Sequence, residues 1–194
     1  MSSHHFVKDG QEPALFILDN ISFRIVESLL EWVPLVMVAE RVLEQVLQWG
    51  IKIDVVIQKD FVIETLEDLV KDQGPVEILR SGREGIVASG LRHLIQNGYE
   101  AVNLLSQPSE GIFWEVEGSA RELQVGIYAE QEKWSLITSG KFEKWMPVES
   151  TLQIRNESSL QAEGLIQKGS YWETVDAGIV SIRSKSAFWI GERP

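Results

Sequence analysis

Between Ala14 and Leu105, five short runs of apolar residues alternate with longer stretches in which apolar positions recur at helical spacing. The short runs are Ala14-Leu15-Phe16-Ile17-Leu18, Pro34-Leu35-Val36-Met37-Val38, Asp54-Val55-Val56-Ile57, Val76-Glu77-Ile78-Leu79 and Ala101-Val102-Asn103-Leu104-Leu105. Most are apolar on both faces, the pattern of strands buried between two helical layers. The longer stretches, Ser22 to Trp32, Glu40 to Trp49, Val62 to Lys71 and Arg83 to Asn97, are amphipathic. Asn20 or Ser22 can cap the first helix, and Gly50, Gly74 and Gly98 each follow a helical pattern where a left-handed C-terminal residue is favoured. This alternation reads as βαβ units, and so predicts a parallel sheet with right-handed crossovers.

The pattern changes after Leu105. Ser106-Gln107-Pro108-Ser109-Glu110-Gly111 reads as a linker or turn, and short, partly alternating segments follow: Gln124 to Tyr128, Trp134 to Thr138, Thr151 to Ile154, Gly178 to Ile182 and Ala187 to Ile190. Five of the seven tryptophans lie in this half, which suits a small antiparallel β-sandwich or barrel with large aromatics in its core. The boundary falls between residues 106 and 122. The expected fold class is α/β plus all-β: a parallel-sheet, Rossmann-like α/β domain over residues 1–110, then a small antiparallel β-sandwich over 111–194.

Composition narrows the partners. With 29 acidic and 18 basic residues the formal net charge is -11, which repels phosphate backbones and anionic lipid, and no basic run with interleaved aromatics offsets it. Neither nucleic acid nor a membrane is expected as a partner. Cysteine is absent, which excludes thiol nucleophiles, disulfides and cysteine metal sites. No window reaches the roughly 18 apolar residues of a membrane span. A cytoplasmic location is expected.

The words Pro34-Leu35-Val36-Met37-Val38-Ala39-Glu40-Arg41-Val42, Gly50-Ile51-Lys52-Ile53-Asp54-Val55-Val56-Ile57, Gly98-Tyr99-Glu100-Ala101-Val102-Asn103-Leu104-Leu105 and Gly178-Ile179-Val180-Ser181-Ile182 resemble, in order and spacing, the thiamine pyrophosphokinase family. The resemblance implies an α/β half paired with a C-terminal β-sandwich. It also implies transfer of pyrophosphate from ATP to thiamine, with Mg²⁺ held by carboxylates at the C-terminal strand ends. At the positions that match the family's catalytic motifs one acid survives, as Glu40, and the other carboxylates are replaced. Where the family has Asp-Gly-Gly after the second strand, this chain has Glu40-Arg41-Val42; where it has Gly-Asp-x-Asp-Ser after the third, this chain has Gln58-Lys59-Asp60-Phe61-Val62. Lys59 and Phe61 thus stand at the two aspartate positions. The acidic pair opening the fourth helix is replaced by Arg83-Glu84-Gly85-Ile86, and Ser106 to Gly111 lacks the family's Gly-Gly-Arg-x-Asp-His stretch. Trp172-Glu173-Thr174-Val175-Asp176 keeps an aromatic and a hydroxyl near the place of the thiamine loop.

The resemblance therefore implies a pseudoenzyme of this family that retains binding of a thiamine-like or nucleotide ligand. Its candidate contacts are Glu40, Lys59, Asp60, Arg83, Trp172 and Thr174, and the family-equivalent catalytic positions are Glu40, Lys59, Phe61, Arg83 and Ile86. No cofactor is expected. Mg²⁺ and ATP enter only under an alternative in which Glu40, Asp60 and Glu84 rebuild the metal site of an active kinase. A second alternative is a dimeric structural or interaction protein without ligand. A homodimer through the sandwich is implied by the family. Lys59, Arg80, Arg83 and Arg41 form a possible metal-free anion cluster, weighed against a solvated rim. His93 lies in a helix without an i+4 partner, so a structural role is its default.

Overall fold

β1 (Ala14–Ile17) is buried along its whole length, and the first unit of the chain is assembled around it. In the computed structural model, which describes residues 12–32, 34–59, 63–119, 122–155 and 160–193, the elements follow in the order α1 (Phe23–Leu29), β2 (Val36–Ala39), α2 (Leu43–Gln48), β3 (Val55–Gln58), α3 (Ile63–Val70), β4 (Glu77–Arg80), α4 (Ile86–Gln96), β5 (Ala101–Leu105), α5 (Glu110–Ser119) and β6 (Gln124–Tyr128). A 3-10 turn, Glu40–Val42, joins β2 to α2. The strands lie in the order β4-β3-β2-β1-β5-β6 and every pairing is parallel. The chain moves outward from β1 through β2 and β3 to β4, then returns to β5 on the other side of β1. The strand order reverses between β1 and β5, and in open α/β sheets that reversal opens the crevice where ligands sit.

The local reasons match the amino-acid pattern. β1, β2 and β3 are buried at all their positions, as doubly covered parallel strands are. Gly50 and Gly98 end α2 and α4 with φ of 66° and 78°, which a side chain rarely adopts. Ser22 occupies the N-cap of α1 without capping it. Its backbone N–H and hydroxyl turn instead to the Glu130 carboxylate just beyond β6, at 2.5 and 3.0 Å. Asp54 does similar work at the start of β3, accepting from the Val36 N–H at 2.9 Å and from Lys52 Nζ. α4 packs so closely on the sheet that a Cβ at Gly90 would lie 2.4 Å from Phe16 Cε1 and 2.8 Å from Ile57 Cδ1.

The second unit contains β7 (Lys133–Ile137), β8 (Lys141–Met146), β9 (Thr151–Arg155), β10 (Gln161–Glu163), β11 (Leu165–Lys168), β12 (Tyr171–Thr174), β13 (Gly178–Arg183) and β14 (Phe188–Glu192). All its pairings are antiparallel, β7-β14-β9-β12-β11 in one set and β8-β13-β10 in the other. Leu152, Ile154, Phe188 and Ile190 from the first set share a core with Met146, Val180 and Ile182 from the second. Each such side chain contributes about 1.5–3 kcal/mol when fully buried.

The two units divide at Glu130/Gln131, downstream of the boundary drawn at residue 110. The difference lies in two elements. Residues 106–111 were read as a linker, yet α5 begins at Glu110. Gln124 to Tyr128, expected among the antiparallel segments, is the sixth parallel strand, paired with β5 from Ala101↔Gln124 to Leu105↔Tyr128. Its inside-outside alternation is that of a strand less deeply covered than β1 to β3. Among the described residues, no helix is long and apolar enough to cross a membrane.

Candidate functional site

The C-terminal ends of the parallel strands gather most of the residues singled out in the sequence. Glu40, half-buried, opens the 3-10 turn directly after β2, and Lys59, exposed, directly follows β3. The registers Ala39↔Ile57 and Gln58↔Arg80 put these two strand ends beside the β4–α4 turn. In that turn Arg83 is exposed, and Ile86 is the half-buried first residue of α4. Asp60 and Phe61 lie outside the described residues. Gln58 is 1% exposed, and among the described residues its Nε2, like the Ser81 hydroxyl, has no hydrogen-bond partner.

Glu84 is turned onto its own helix. Its carboxylate accepts from Ser89 Oγ at 3.0 Å and from Arg92 Nη1 at 2.6 Å, while the Gly82 N–H donates to Ser89 Oγ at 3.0 Å. Its own backbone N–H and the Ser89 hydroxyl, helped by Arg92, hold the carboxyl below its ordinary range against the opposing effect of burial. A Cβ at Gly82 would collide with this carboxylate, so the glycine makes room for the turn.

At the switch point itself stands a residue the sequence pattern did not single out. Asp19 follows β1, and each of its carboxylate oxygens is engaged. Oδ2 accepts from Ser106 Oγ at 2.6 Å and from the Gln107 N–H at 3.0 Å, both just past β5, and Oδ1 accepts from Arg41 Nη2 at 2.8 Å. Arg41 Nε also donates to Leu18 O at 2.8 Å. Glu115 of α5 feels the charge of Arg41. Burial pushes its carboxyl above the ordinary range, and the Arg41 charge partly offsets that rise. Only knowledge of the strand order would have marked Asp19, because the order places the ends of β1 and β5 side by side.

Among the solved structures, thiamine pyrophosphokinase from Bacillus subtilis matches 93% of this chain and 98% of its own, with a TM-score of 0.70 at 9% identity. The fold is that of thiamine pyrophosphokinases. The enzyme from Candida albicans matches 94% of this chain and 90% of its own at TM-score 0.67 and 11% identity, and the yeast enzyme 95% and 87% at 0.65 and 8%. No family model and no curated protein matches the sequence. At these identities the likeness speaks for the fold alone.

Mg²⁺ demands near-octahedral oxygen ligands, usually one or two free carboxylates with water and phosphate. Asp19 accepts from three donors, Glu84 is held by Ser89 and Arg92, and Arg41 and Lys59 bring positive charge to the same edge. Among the described residues, no group of three His, Asp or Glu is placed to hold a metal ion.

The remaining candidates belong to the second unit. Trp172 is half-buried against the core cluster. Thr174 is 2% exposed, and its hydroxyl donates to Pro147 O at 2.7 Å and accepts the Ser150 N–H at 3.0 Å, which ties β12 to the β8–β9 turn. A cavity of about 330 Å³ opens in this unit, lined by Glu132, Thr151, Gln153, Ser170, Tyr171 and Gly191 among others. Gly191 lets the Trp134 indole lie against the backbone, 2.7 Å from where a Cβ would stand. Trp134 and Trp189 are buried, whereas Trp114 and Trp145 are 77% and 63% exposed. His93 has a structural setting, close to Glu77 and hydrogen-bonded through its carbonyl to Asn97.

Proposed function

We propose that this chain is a thiamine pyrophosphokinase-fold protein that does not transfer pyrophosphate and has kept a pocket for a small, cationic aromatic ligand of the thiamine type. One observation carries the first half of this reading. The acid at the sheet's switch point is engaged by the chain's own groups: Asp19 accepts from Arg41, from the Ser106 hydroxyl and from the Gln107 N–H. Phosphoryl transfer depends on a metal clamp and preorganised charge, and losing such a clamp costs orders of magnitude in rate.

The cavity of the second unit, which we read as the family's β-sandwich, supports the second half. Tyr171 offers a ring to an aromatic cation, and Glu132 offers negative charge at the rim. A homodimer through the same unit is part of the reading, and a cytoplasmic location accompanies it. Ile179 stands directly opposite Trp145 across β13 and β8, with 72% and 63% of their surfaces exposed, an apolar pair that a second copy would cover.

The experiment is to incubate the protein with ATP, Mg²⁺ and thiamine and follow AMP. The expected result is no formation above the protein-free background. Mg²⁺-dependent AMP production, lost in Glu40→Gln or Asp60→Asn, would establish the relocated-acid kinase instead. Tryptophan fluorescence titrated with thiamine tests the pocket: saturable quenching that Tyr171→Ala weakens is expected, and a flat titration would leave an interaction protein without ligand.

A further inference from the structure

We propose that Asn97-Gly98, at the C-terminal cap of α4, is a site of spontaneous modification, where the Asn97 side-chain amide becomes a carboxyl through a cyclic imide with the Gly98 nitrogen. It is the one Asn-Gly step in the sequence; the other asparagines precede Ile21, Leu104 and Glu157. Closing that ring calls for a following residue whose amide nitrogen is not shaded by a side chain and whose backbone turns freely, and glycine meets both demands. The glycine is here for another reason, since it ends α4 with φ of 78°. The helix stop and the reactive step are thus the same residue. Nothing in this chemistry depends on the cavity of the second unit or on pyrophosphate transfer.

Asn97 and Gly98 are both exposed, and among the described residues nothing lies within 4 Å of a Cβ built at Gly98, so the imide has room to form. The bonds that restrain the pair are local. Asn97 Nδ2 donates to His93 O at 2.8 Å, and the Gly98 N–H donates to Ile95 O at 3.0 Å. While both hold, Asn97 keeps ψ of 9° and the Gly98 nitrogen keeps its hydrogen on a carbonyl. Both acceptors lie in the last turn of α4, and helix ends open at far lower cost than the whole fold. In the opened turn the Gly98 N–H gives its proton to a solvent base, and the nitrogen bonds to Asn97 Cγ. The Cγ–Nδ2 bond breaks, and ammonia leaves with a proton taken from solvent. Water then opens the imide at either carbonyl, which yields an aspartate in the normal backbone or an isoaspartate that carries the chain through its side chain. The sum consumes one water and exchanges one amide for one carboxyl.

The product weakens the end of α4. A carboxylate lacks the N–H that reached His93 O, and it brings negative charge to the end of the helix where the dipole is already negative. Glu77 adds a second carboxylate to this neighbourhood, 3.7 Å from His93 Nε2.

The test keeps the full chain in warm, mildly alkaline buffer, native and in urea. Position 97 is read by peptide mapping with mass spectrometry, and isoaspartate by its enzymatic methylation. Acid is expected to accumulate at this position in the native chain ahead of Asn20 and Asn103, and about tenfold faster in urea. Ageing should lower the thermal midpoint of the parent but not of Asn97→Gln, whose longer side chain closes the ring far more slowly. Asn97→Asp, which mimics one product, is expected to melt about 2–4 °C below the parent. An aged native chain without acid at position 97, or one in which Asn20 or Asn103 converts first, overturns the proposal. A rate in urea no higher than the native rate overturns the control by the last turn of α4. Equal melting of Asn97→Asp and the parent overturns the structural consequence.

Discussion

Asp19 and Ser106 are 87 residues apart in the chain, and the Ser106 hydroxyl donates to Asp19 Oδ2 at 2.6 Å. The contact exists because β1 pairs with β5, Ile17↔Leu105, so the residues that follow the two strands leave the sheet together. Ser106 is 3% exposed and needs an acceptor, which Asp19 supplies. Asp19→Ala is therefore expected to destabilise the protein by about 1–3 kcal/mol, since it leaves the Gln107 N–H without this acceptor and the buried Ser106 hydroxyl with only the longer contact to Gln107 O, at 3.3 Å. Urea unfolding of Asp19→Ala, Ser106→Ala and the double variant checks this. The double variant should lose less than the sum of the two, and strict additivity would deny the coupling.

Gly90 tests the packing of α4 on the sheet. In an exposed helix, replacing glycine by alanine stabilises by about 1 kcal/mol, because alanine loses less backbone freedom on folding. At Gly90 the new methyl would meet Phe16 and Ile57 at 2.4 to 2.8 Å, and both rings and branches are held in a filled layer. Overpacking of this kind costs about 1–3 kcal/mol, so the net effect of Gly90→Ala is expected to be a loss. A higher thermal midpoint for Gly90→Ala would show that α4 stands further from the sheet.

The first five strands and the four helices between them were legible in the sequence because each is long enough, or apolar enough, for its period to show. The glycines at positions 50 and 98 marked helix ends by the backbone they permit. α5 was hidden by its own composition, since Gly111 and Gly118 lie inside it and its apolar residues Ile112, Phe113 and Trp114 run consecutively instead of forming a stripe. β8 and β10 to β12 escaped notice because they are short or mostly exposed, so alternation is masked by Lys, Glu and Gln on the solvent side. Of the candidate site, Glu40 and Lys59 lie just past β2 and β3, and Arg83 lies in the turn between β4 and α4. The Asp19 knot was not legible, because it is a product of strand order, which local pattern does not contain.

The pH dependence of stability should carry the mark of Glu115. Burial raises its folded-state pKa above that of the unfolded chain, with Arg41 opposing the rise. A carboxyl with a raised folded pKa binds its proton more tightly when folded, so it favours the fold at low pH. That contribution is lost as pH rises through the ordinary carboxylate range toward the folded value. Glu115→Gln removes the titration. The variant is expected to be more stable than the parent near pH 7 and to lose that advantage near pH 4, in urea unfolding at the two pH values. The reverse order would mean that the Arg41 charge, not burial, dominates at Glu115.

Thr174 separates a structural from a ligand-binding role within the second unit. Its hydroxyl donates to Pro147 O at 2.7 Å and accepts the Ser150 N–H at 3.0 Å, and the residue is 2% exposed. The hydroxyl's one proton is committed to Pro147 and its oxygen already accepts from Ser150, so it has no hydrogen left to donate to a ligand. Thr174→Val keeps the volume and deletes both bonds, leaving the Ser150 N–H short of an acceptor, while the Pro147 carbonyl keeps the Ser150 hydroxyl. A loss of about 1–3 kcal/mol is expected in urea unfolding, with the β8–β9 turn loosened first. Thiamine titration of the folded Thr174→Val protein should follow the parent curve, whereas Tyr171→Ala should flatten it while costing little stability, because Tyr171 is exposed at the cavity rim. If Thr174→Val unfolded like the parent but abolished quenching, the hydroxyl would be a ligand contact, and the pocket would have to extend from Tyr171 along β12 to the Pro147 turn.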